Sequence, residues 1–541
     1  PTKDAVDLSM TEERFLYLFL NPRRKMASRH QNGMTATGRC FVRLVRMVII
    51  FCTLGVTLRQ GQVEAFAVGS PNAIVVHHLF PRILERQTFR NQASRWQLGA
   101  VKNRDKENGP TSSSSFNQKV EQGSVVGASL LFAGTAIGAG MLALPAETAA
   151  SGFVPSISSL AVCWCFTFVT SLVTLEASWT VSRVYSTTGS GFLAITQKTL
   201  GPIGEGVTAL LFWFLLTSIV TAYTSEGGEL ISEFAQEQVF GNDGPTVLLS
   251  PTIGSALFMV FFASLDFFGT ERVDLVNRVL VTGLVATFLG LLGIGLPQVE
   301  TSLLHRADWV AVYPDVISVG ILSLGAQNVV PTLLKYLGGD AERTKRAVLL
   351  GSLIPLVMYT FWESVFLGIV PYDPTGAKME IVSALGTTGG AIVQELVEVF
   401  SACAIGSSMA GASVSLVDFF EDAIDNLGVK DGEEPAEESK LRKRLLAASL
   451  ALGPPLAIAC VYPDAFLGLL ENVGLLGGVS LYGVLPALAL IQLRKVSAEN
   501  VDSETMPGRL IGGTTALYAL VGVSLALVLS DVVELGQGLV R

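Results

Sequence analysis

From residue 124 to residue 531 the chain alternates between long apolar stretches and short polar joins. A helix needs roughly 20 apolar residues to cross ~30 Å of hydrocarbon, so each stretch predicts a membrane span. Eleven are predicted, near 124–146, 153–177, 202–225, 250–268, 276–297, 313–337, 347–371, 382–412, 445–461, 464–492 and 509–531. The eighth and tenth run long, which predicts tilt or a kink. Gly201-Pro202 and Asn242–Pro245 carry the breaker residues expected at joins. The predicted fold class is an all-α integral membrane protein of about 11 transmembrane helices.

Two spans carry an interruption. Residues 134–145 read Gly-Thr-Ala-Ile-Gly-Ala-Gly-Met-Leu-Ala-Leu-Pro, and span six carries Ser323-Leu-Gly-Ala-Gln-Asn-Val-Val-Pro331 with a polar Gln327-Asn328 pair. Unwound backbone survives at membrane depth only where it lines a cavity or is buried in protein. Paired interrupted segments in corresponding halves point to a carrier's binding site near the bilayer midplane. For any one of these glycines alone, close helix packing is the favoured reading. The clustering in two spans favours opened helices.

Charge in the joins sets the orientation. Those on the N-terminal side hold Arg183, Lys198, Arg272, Arg278, Lys335, Arg343, Lys345, Arg346, Lys430, Lys440, Arg442, Lys443, Arg444, Arg494, Lys495 and Arg509, whereas the opposite side holds Arg306 and Lys378. A single miscounted helix would erase that asymmetry, which places the N-terminus on the positive side. The acidic stretch Asp418–Glu438 falls on that side too and reads as a solvated loop.

Composition agrees: hydrophobic residues are 50% of the 541, charged ones 15%, and mean hydropathy is +0.51. Residues 1–110 hold 17 Lys+Arg against 8 Asp+Glu, leaving 20 against 38 for the remainder. Beyond residue 110 the histidine is His305, and Cys163-x-Cys165 lacks metal-ligand spacing. No metal centre, phosphate loop or nucleophile motif is read, so no enzyme activity, cofactor or nucleic-acid partner is expected. The expected partners are a small-molecule substrate and the lipid bilayer.

The basic front has its own organisation. Arg39, Arg43 and Arg46 precede the apolar run Met47–Leu58, and Val63-Glu64-Ala65 supplies a signal-peptide cleavage pattern before Phe66. Residues 66–104 then carry Arg82, Arg86, Arg90, Arg95, Lys102 and Arg104 against Glu85. An Arg-rich, acid-poor, Ser-containing segment reads as a transit peptide. The organisation expected is 1–65 signal-like leader, 66–122 transit-like segment and 123–541 transmembrane domain. This two-part leader resembles those of algae with secondary plastids, which implies a plastid inner envelope with the stroma on the positive side.

The span-one motif Gly134–Pro145 resembles the first-helix signature of the hydroxy/aromatic amino acid permeases, the bacterial tryptophan and tyrosine carriers. Similar in kind are Thr221-Ala-Tyr-Thr-Ser-Glu-Gly-Gly-Glu-Leu230, Asp274 with Val276-Asn277-Arg278, Val330-Pro331 through Gly351-Ser-Leu-Ile-Pro355, Tyr359-Thr-Phe-Trp362, Leu416-Val-Asp418-Phe-Phe420, and Pro454-Pro455 with Tyr462-Pro463. The resemblance covers nearly all of 124–531. It implies the five-plus-five inverted repeat of the amino acid–polyamine–organocation superfamily, with spans one and six discontinuous, and proton-coupled uptake of tyrosine, tryptophan or phenylalanine. Bacterial members carry aromatic-Gly-aromatic-His in span six, and here Leu324-Gly325-Ala326-Gln327 removes an aromatic wall and a titratable group.

A site follows from these parts. N–H groups around Gly138, Ala139 and Gly140 suit a carboxylate, because glycine permits close approach and the half-helix dipole favours an anion. Carbonyls near Gly134, Thr135 and Ala326 suit an ammonium. Tyr223, Gln327, Asn328 and Met409 are expected at the side-chain pocket. Among the intramembrane carboxylates Glu147, Glu176, Glu226, Asp266 and Glu363, the last falls inside span seven and is the proton-coupling candidate. The others are expected near solvated helix ends. A sodium site built from carbonyls and hydroxyls such as Thr135 and Ser407 is the alternative coupling device. The rival readings are a carrier of other small neutral amino acids and a membrane sensor signalling through the acidic loop.

Overall fold

The computed structural model describes residues 123–185, 191–235, 250–267, 270–372, 390–427, 437–463, 466–500 and 512–540. The leader expected over 1–122 lies outside the described residues. The order is α1 Val125–Ala136, α2 Gly140–Thr148, α3 Phe153–Val184, α4 Phe192–Phe234, α5 Pro251–Phe267, α6 Thr270–Gly295, α7 Asp315–Ser323, α8 Val330–Tyr336, α9 Ala341–Ile369 and α10 Ala391–Leu427. It continues with α11 Glu437–Val461, α12 Phe466–Val473, a π-helical segment Gly474–Val484, α13 Leu485–Asn500 and α14 Thr514–Val540. Strands are absent among the described residues.

Among the described residues nine segments are long and apolar enough to cross a membrane, and the bent pair α1–α2 makes ten. Helix α5 is apolar but shorter, over Pro251–Leu265. Several helices outrun their predicted windows, because charged last turns leave the hydrophobic pattern without leaving the helix. Thus α10 continues to Leu427, and Asp418 with Glu421 is helical rather than looped; residues 428–436 of the acidic stretch lie outside the described residues. At Gly201-Pro202 the expected break is present inside α4: Gly201 adopts a non-helical conformation (φ +70, ψ −164) and Pro202 starts the next helical stretch, so the join is a sharp kink between two helices rather than a loop. The long tenth span is accounted for by its π-helical centre, a wider coil commonly found near functional positions.

Close packing is achieved through small residues, as membrane helices require. A Cβ on Gly351 of α9 would lie 2.7 Å from the Ser129 carbonyl oxygen and 2.8 Å from Phe132 Cβ, so α1 rests directly on α9. Trp362, Tyr359, Phe132, Phe366 and Phe400 are the bulkiest fully buried side chains, with the Trp362 and Phe400 rings 4.9 Å apart. The α6–α7 connection is stitched across one end of this core. Arg306 Nη1 donates to the Ala149 carbonyl at 2.8 Å and its guanidinium lies 3.5 Å over the Tyr372 ring. Glu300 N–H reaches the Gly368 carbonyl and Asp308 N–H the Ser151 carbonyl, each at 2.8 Å.

Gly351→Val is expected to force α1 off α9, at a cost of about 1–3 kcal/mol for overpacking. A thermal unfolding series in detergent checks this, with Gly206→Val, where a Cβ meets open space, as the neutral comparison.

Candidate binding site at the two helix breaks

Helix α1 ends where Ile137 turns extended (φ −81, ψ 114), and α2 departs at 55° to it. The ladder stops with Ile137 N–H on the Ala133 carbonyl and resumes with Met141 and Leu142 N–H on the carbonyls of Gly138 and Ala139. The carbonyls of Gly134, Thr135 and Ala136 therefore lie beyond the last rung. In span six, α7 stops at Ser323 and α8 begins at Val330, with a single 3-10 turn over Gln327–Val329 between them. The two breaks face each other: a Cβ on Gly140 would lie 3.0 Å from Ser323 Cα.

Hydroxyls from two other helices close the opened backbone. The Tyr359 hydroxyl, on α9, faces the Ala136 carbonyl at 2.7 Å and the Ser323 carbonyl at 3.2 Å, so one donor spans both breaks. The Ser408 hydroxyl, on α10, accepts the Ala139 N–H at 2.9 Å and lies beside the Tyr223 side chain. Ser408 can come this near because residue 138 is glycine: a Cβ there would sit 2.1 Å from its Oγ. Tyr359 is fully buried and Tyr223 half-buried.

One helical turn beyond Tyr359, Glu363 is 0% exposed. The Thr148 hydroxyl, in the last turn of α2, donates to its Oε2 at 2.5 Å, while Oε1 is buried without a hydrogen-bond partner. Span seven thus touches α1, α2 and α7 through two polar side chains four residues apart, the spacing that puts both on one face. Gln327 is buried, its Nε2 donating to Thr170 Oγ1 at 2.9 Å and its Oε1 lacking a partner. Met409 is buried beside Ser408.

Some expected site residues are placed differently. Gly134 and Thr135 belong to the last turn of α1 and are exposed, and the Thr135 hydroxyl donates to the Leu131 carbonyl. The Ala326 carbonyl is not left open, because Val329 N–H takes it at 3.3 Å in the 3-10 turn, and the Ala326 methyl packs with Phe132, Ala136 and Leu172. Asn328 is exposed and does not join Gln327. Ser407 donates to the Ala404 carbonyl at 3.1 Å.

Two carboxylates expected at solvated helix ends are buried instead. Glu176 receives Arg494 Nε and Nη2 at 2.9 and 2.6 Å. Glu147 lies with Asp315 and Glu471, their oxygens within 4.8 Å of one another. Glu226 is half-buried, and the Asp266 side chain lies outside the described residues. Sequence reasoning missed Ser408, Ser323, Thr148 and Thr170 at the site; only the i, i+4 placement of Tyr359 before Glu363 offered a signal.

This geometry is what main-chain recognition of a zwitterion needs. N–H groups of Gly138 and Gly140 stand outside the ladder at the start of α2, a position favourable to an anion. Carbonyls at the end of α1 favour a cation. A model of the tryptophan/tyrosine permease family matches residues 121–529. A tyrosine-specific transport system of Haemophilus influenzae is 28% identical over 421 residues, covering 74% of this chain and 95% of its own length. A tryptophan-specific transport protein of the same organism is 27% identical over 415 residues, covering 74% and 94%. A glutamine transporter of Aliivibrio fischeri is 25% identical over 410 residues, covering 73% and 97%.

Thr148→Val leaves the Glu363 carboxyl without its donor and is expected to cost about 1–3 kcal/mol. In a Glu363→Leu background the same change should cost far less, and a double-mutant cycle of unfolding midpoints measures the difference.

Proposed function

Because this chain belongs to the tryptophan/tyrosine permease family, we propose that it is a secondary active carrier of aromatic amino acids, working by alternating access. The observation that carries this reading is the facing pair of opened helices, whose main-chain groups are matched by neutral hydroxyls from α9 and α10. An amino acid offers a carboxylate to the N–H groups of Gly138, Ala139 and Gly140, and an ammonium to the Ala136 carbonyl at the end of α1. Binding without an ion pair suits a carrier, since cargo held by opposite fixed charges is slow to leave. Tyr223, Gln327 and Met409 then face the cargo side chain, with Gln327 Oε1 as its hydrogen-bond acceptor.

The coupling ion on this reading is the proton, taken up at Glu363. Its Thr148 contact is to the outer half of span one, so loading that carboxyl bears on the segment that must move. Sodium is the alternative. The further architecture proposed is eleven spans in a five-plus-five inverted repeat with an appended last helix, consistent with breaks five spans apart. The two-part leader supports a plastid inner envelope. A second cargo reading, a small neutral amino acid, is favoured by Ala326 and Gln327 standing where bacterial carriers have an aromatic residue and histidine.

The full chain reconstituted in liposomes is expected to take up radiolabelled tyrosine faster under an inward proton gradient than without one. Gly138→Val, which drives a side chain into Ser408, should lower uptake at least tenfold. Glu363→Gln should keep tyrosine–tyrosine exchange but lose the gradient effect; stimulation by a sodium gradient alone would reassign the coupling ion. No flux of any aromatic amino acid by folded protein, with flux of glutamine or alanine, would replace the cargo.

A further inference from the structure

The hydroxyls of Tyr359 and Ser408 occupy the places where an amino acid would put its two charged groups. We propose that they are internal stand-ins for the cargo: in the empty carrier Tyr359 gives the Ala136 carbonyl the hydrogen bond that the substrate ammonium gives when bound, and Ser408 receives the Ala139 N–H in place of the substrate carboxylate. This rests on the reading of the cargo as an amino acid.

The empty state carries a cost. Opened backbone with neither cargo nor water has unpaired donors and acceptors, each expensive when buried. A carrier must nevertheless return empty through its cycle. Here one donor, fully buried on α9, lies 2.7 Å from the last carbonyl of α1 and 3.2 Å from the last carbonyl of α7. The opposite pole is the 2.9 Å bond from Ala139 N–H to Ser408 on α10. Each stand-in has somewhere to go. Tyr359 keeps the Ser323 carbonyl when the ammonium takes Ala136, and the Ser408 hydroxyl has the neighbouring Tyr223 side chain to turn toward when the carboxylate takes Ala139. Cargo and hydroxyls therefore exchange partners rather than break them. Tyr359 acts as a positioning residue that competes with the ammonium for a shared acceptor, and Ser408 does the same for the carboxylate.

Competition has a sign that simple contact does not share. Removing a stand-in raises the free energy of the empty site more than that of the loaded one, so cargo binds more tightly while the empty carrier returns more slowly. For Tyr359→Phe, equilibrium binding of radiolabelled tyrosine to the purified full chain should tighten about fivefold, the factor a hydrogen bond of ~1 kcal/mol represents. In liposomes, net uptake should slow relative to exchange. Weaker or unchanged binding by folded Tyr359→Phe protein overturns the inference, because the hydroxyl would then be a cargo contact or mere packing. Ser408→Ala runs the same test at the other pole should Tyr359→Phe fail to elute as a monodisperse species; weakened or unchanged binding there overturns it equally. Unaltered carrier that binds no amino acid overturns the cargo reading and this inference with it, whereas binding without tightening in the variants overturns this inference alone.

Discussion

A peptide group buried away from water must have a hydrogen-bond partner, and the rest of this structure is arranged around the two places where helices stop providing one. Some of the missing rungs are replaced from elsewhere in the fold: Tyr359 on α9 reaches a carbonyl at both breaks, and Ser408 on α10 takes an N–H at the first. That replacement demands close approach, which explains glycine at 138 and 140, where any side chain would collide with Ser408 or Ser323. It also demands that α9 lie directly on α1, which Gly351 permits. The breaks are thus not gaps in an otherwise regular bundle but the points to which neighbouring helices are fitted.

The buried carboxylates divide by what they meet. Glu176 on α3 is held by Arg494 on α13, whose Nη1 also donates to the Gly512 carbonyl at 2.9 Å, so three segments are tied at the positive side of the molecule. Such a pair is expensive to break, because either charge left alone in the interior is uncompensated. Glu363 meets a neutral hydroxyl on a half-helix instead. The first arrangement ties three segments through charge, whereas the second joins α9 to the half-helix α2 through one neutral hydrogen bond.

Most of the fold was legible in the sequence because its signals are local. Twenty-residue apolar windows, the bias of Lys and Arg in the joins, and breaker clusters in spans one and six need only neighbours in the chain to be read. Helix ends were less legible, since hydropathy falls at the first charge while the helix runs on, as at Leu427. Gly201-Pro202 was legible for the opposite reason: glycine takes the non-helical conformation and proline is at home in the first turn of a helix, so the pair marks where one helix stops and the next begins. The partners at the breaks were hardly legible, the i, i+4 spacing of Tyr359 and Glu363 aside. Ser408 meets Ala139 across 269 residues, Tyr359 meets Ala136 across 223, and Thr148 meets Glu363 across 215. Serine, threonine and tyrosine in a span look alike until the packing shows which of them faces an unpaired peptide.

On the proposed reading, the opened segments present peptide groups, not side chains, to the part that all amino acids share. Substitution cannot alter a carbonyl or an N–H, so a lineage built on this frame is free to vary the residues around the cargo side chain while the shared grip persists. Divergence of cargo then requires few changes and none at the moving parts. Relatives carrying the names of tyrosine, tryptophan and glutamine transporters at similar distances from this chain are the outcome such a division of labour would produce.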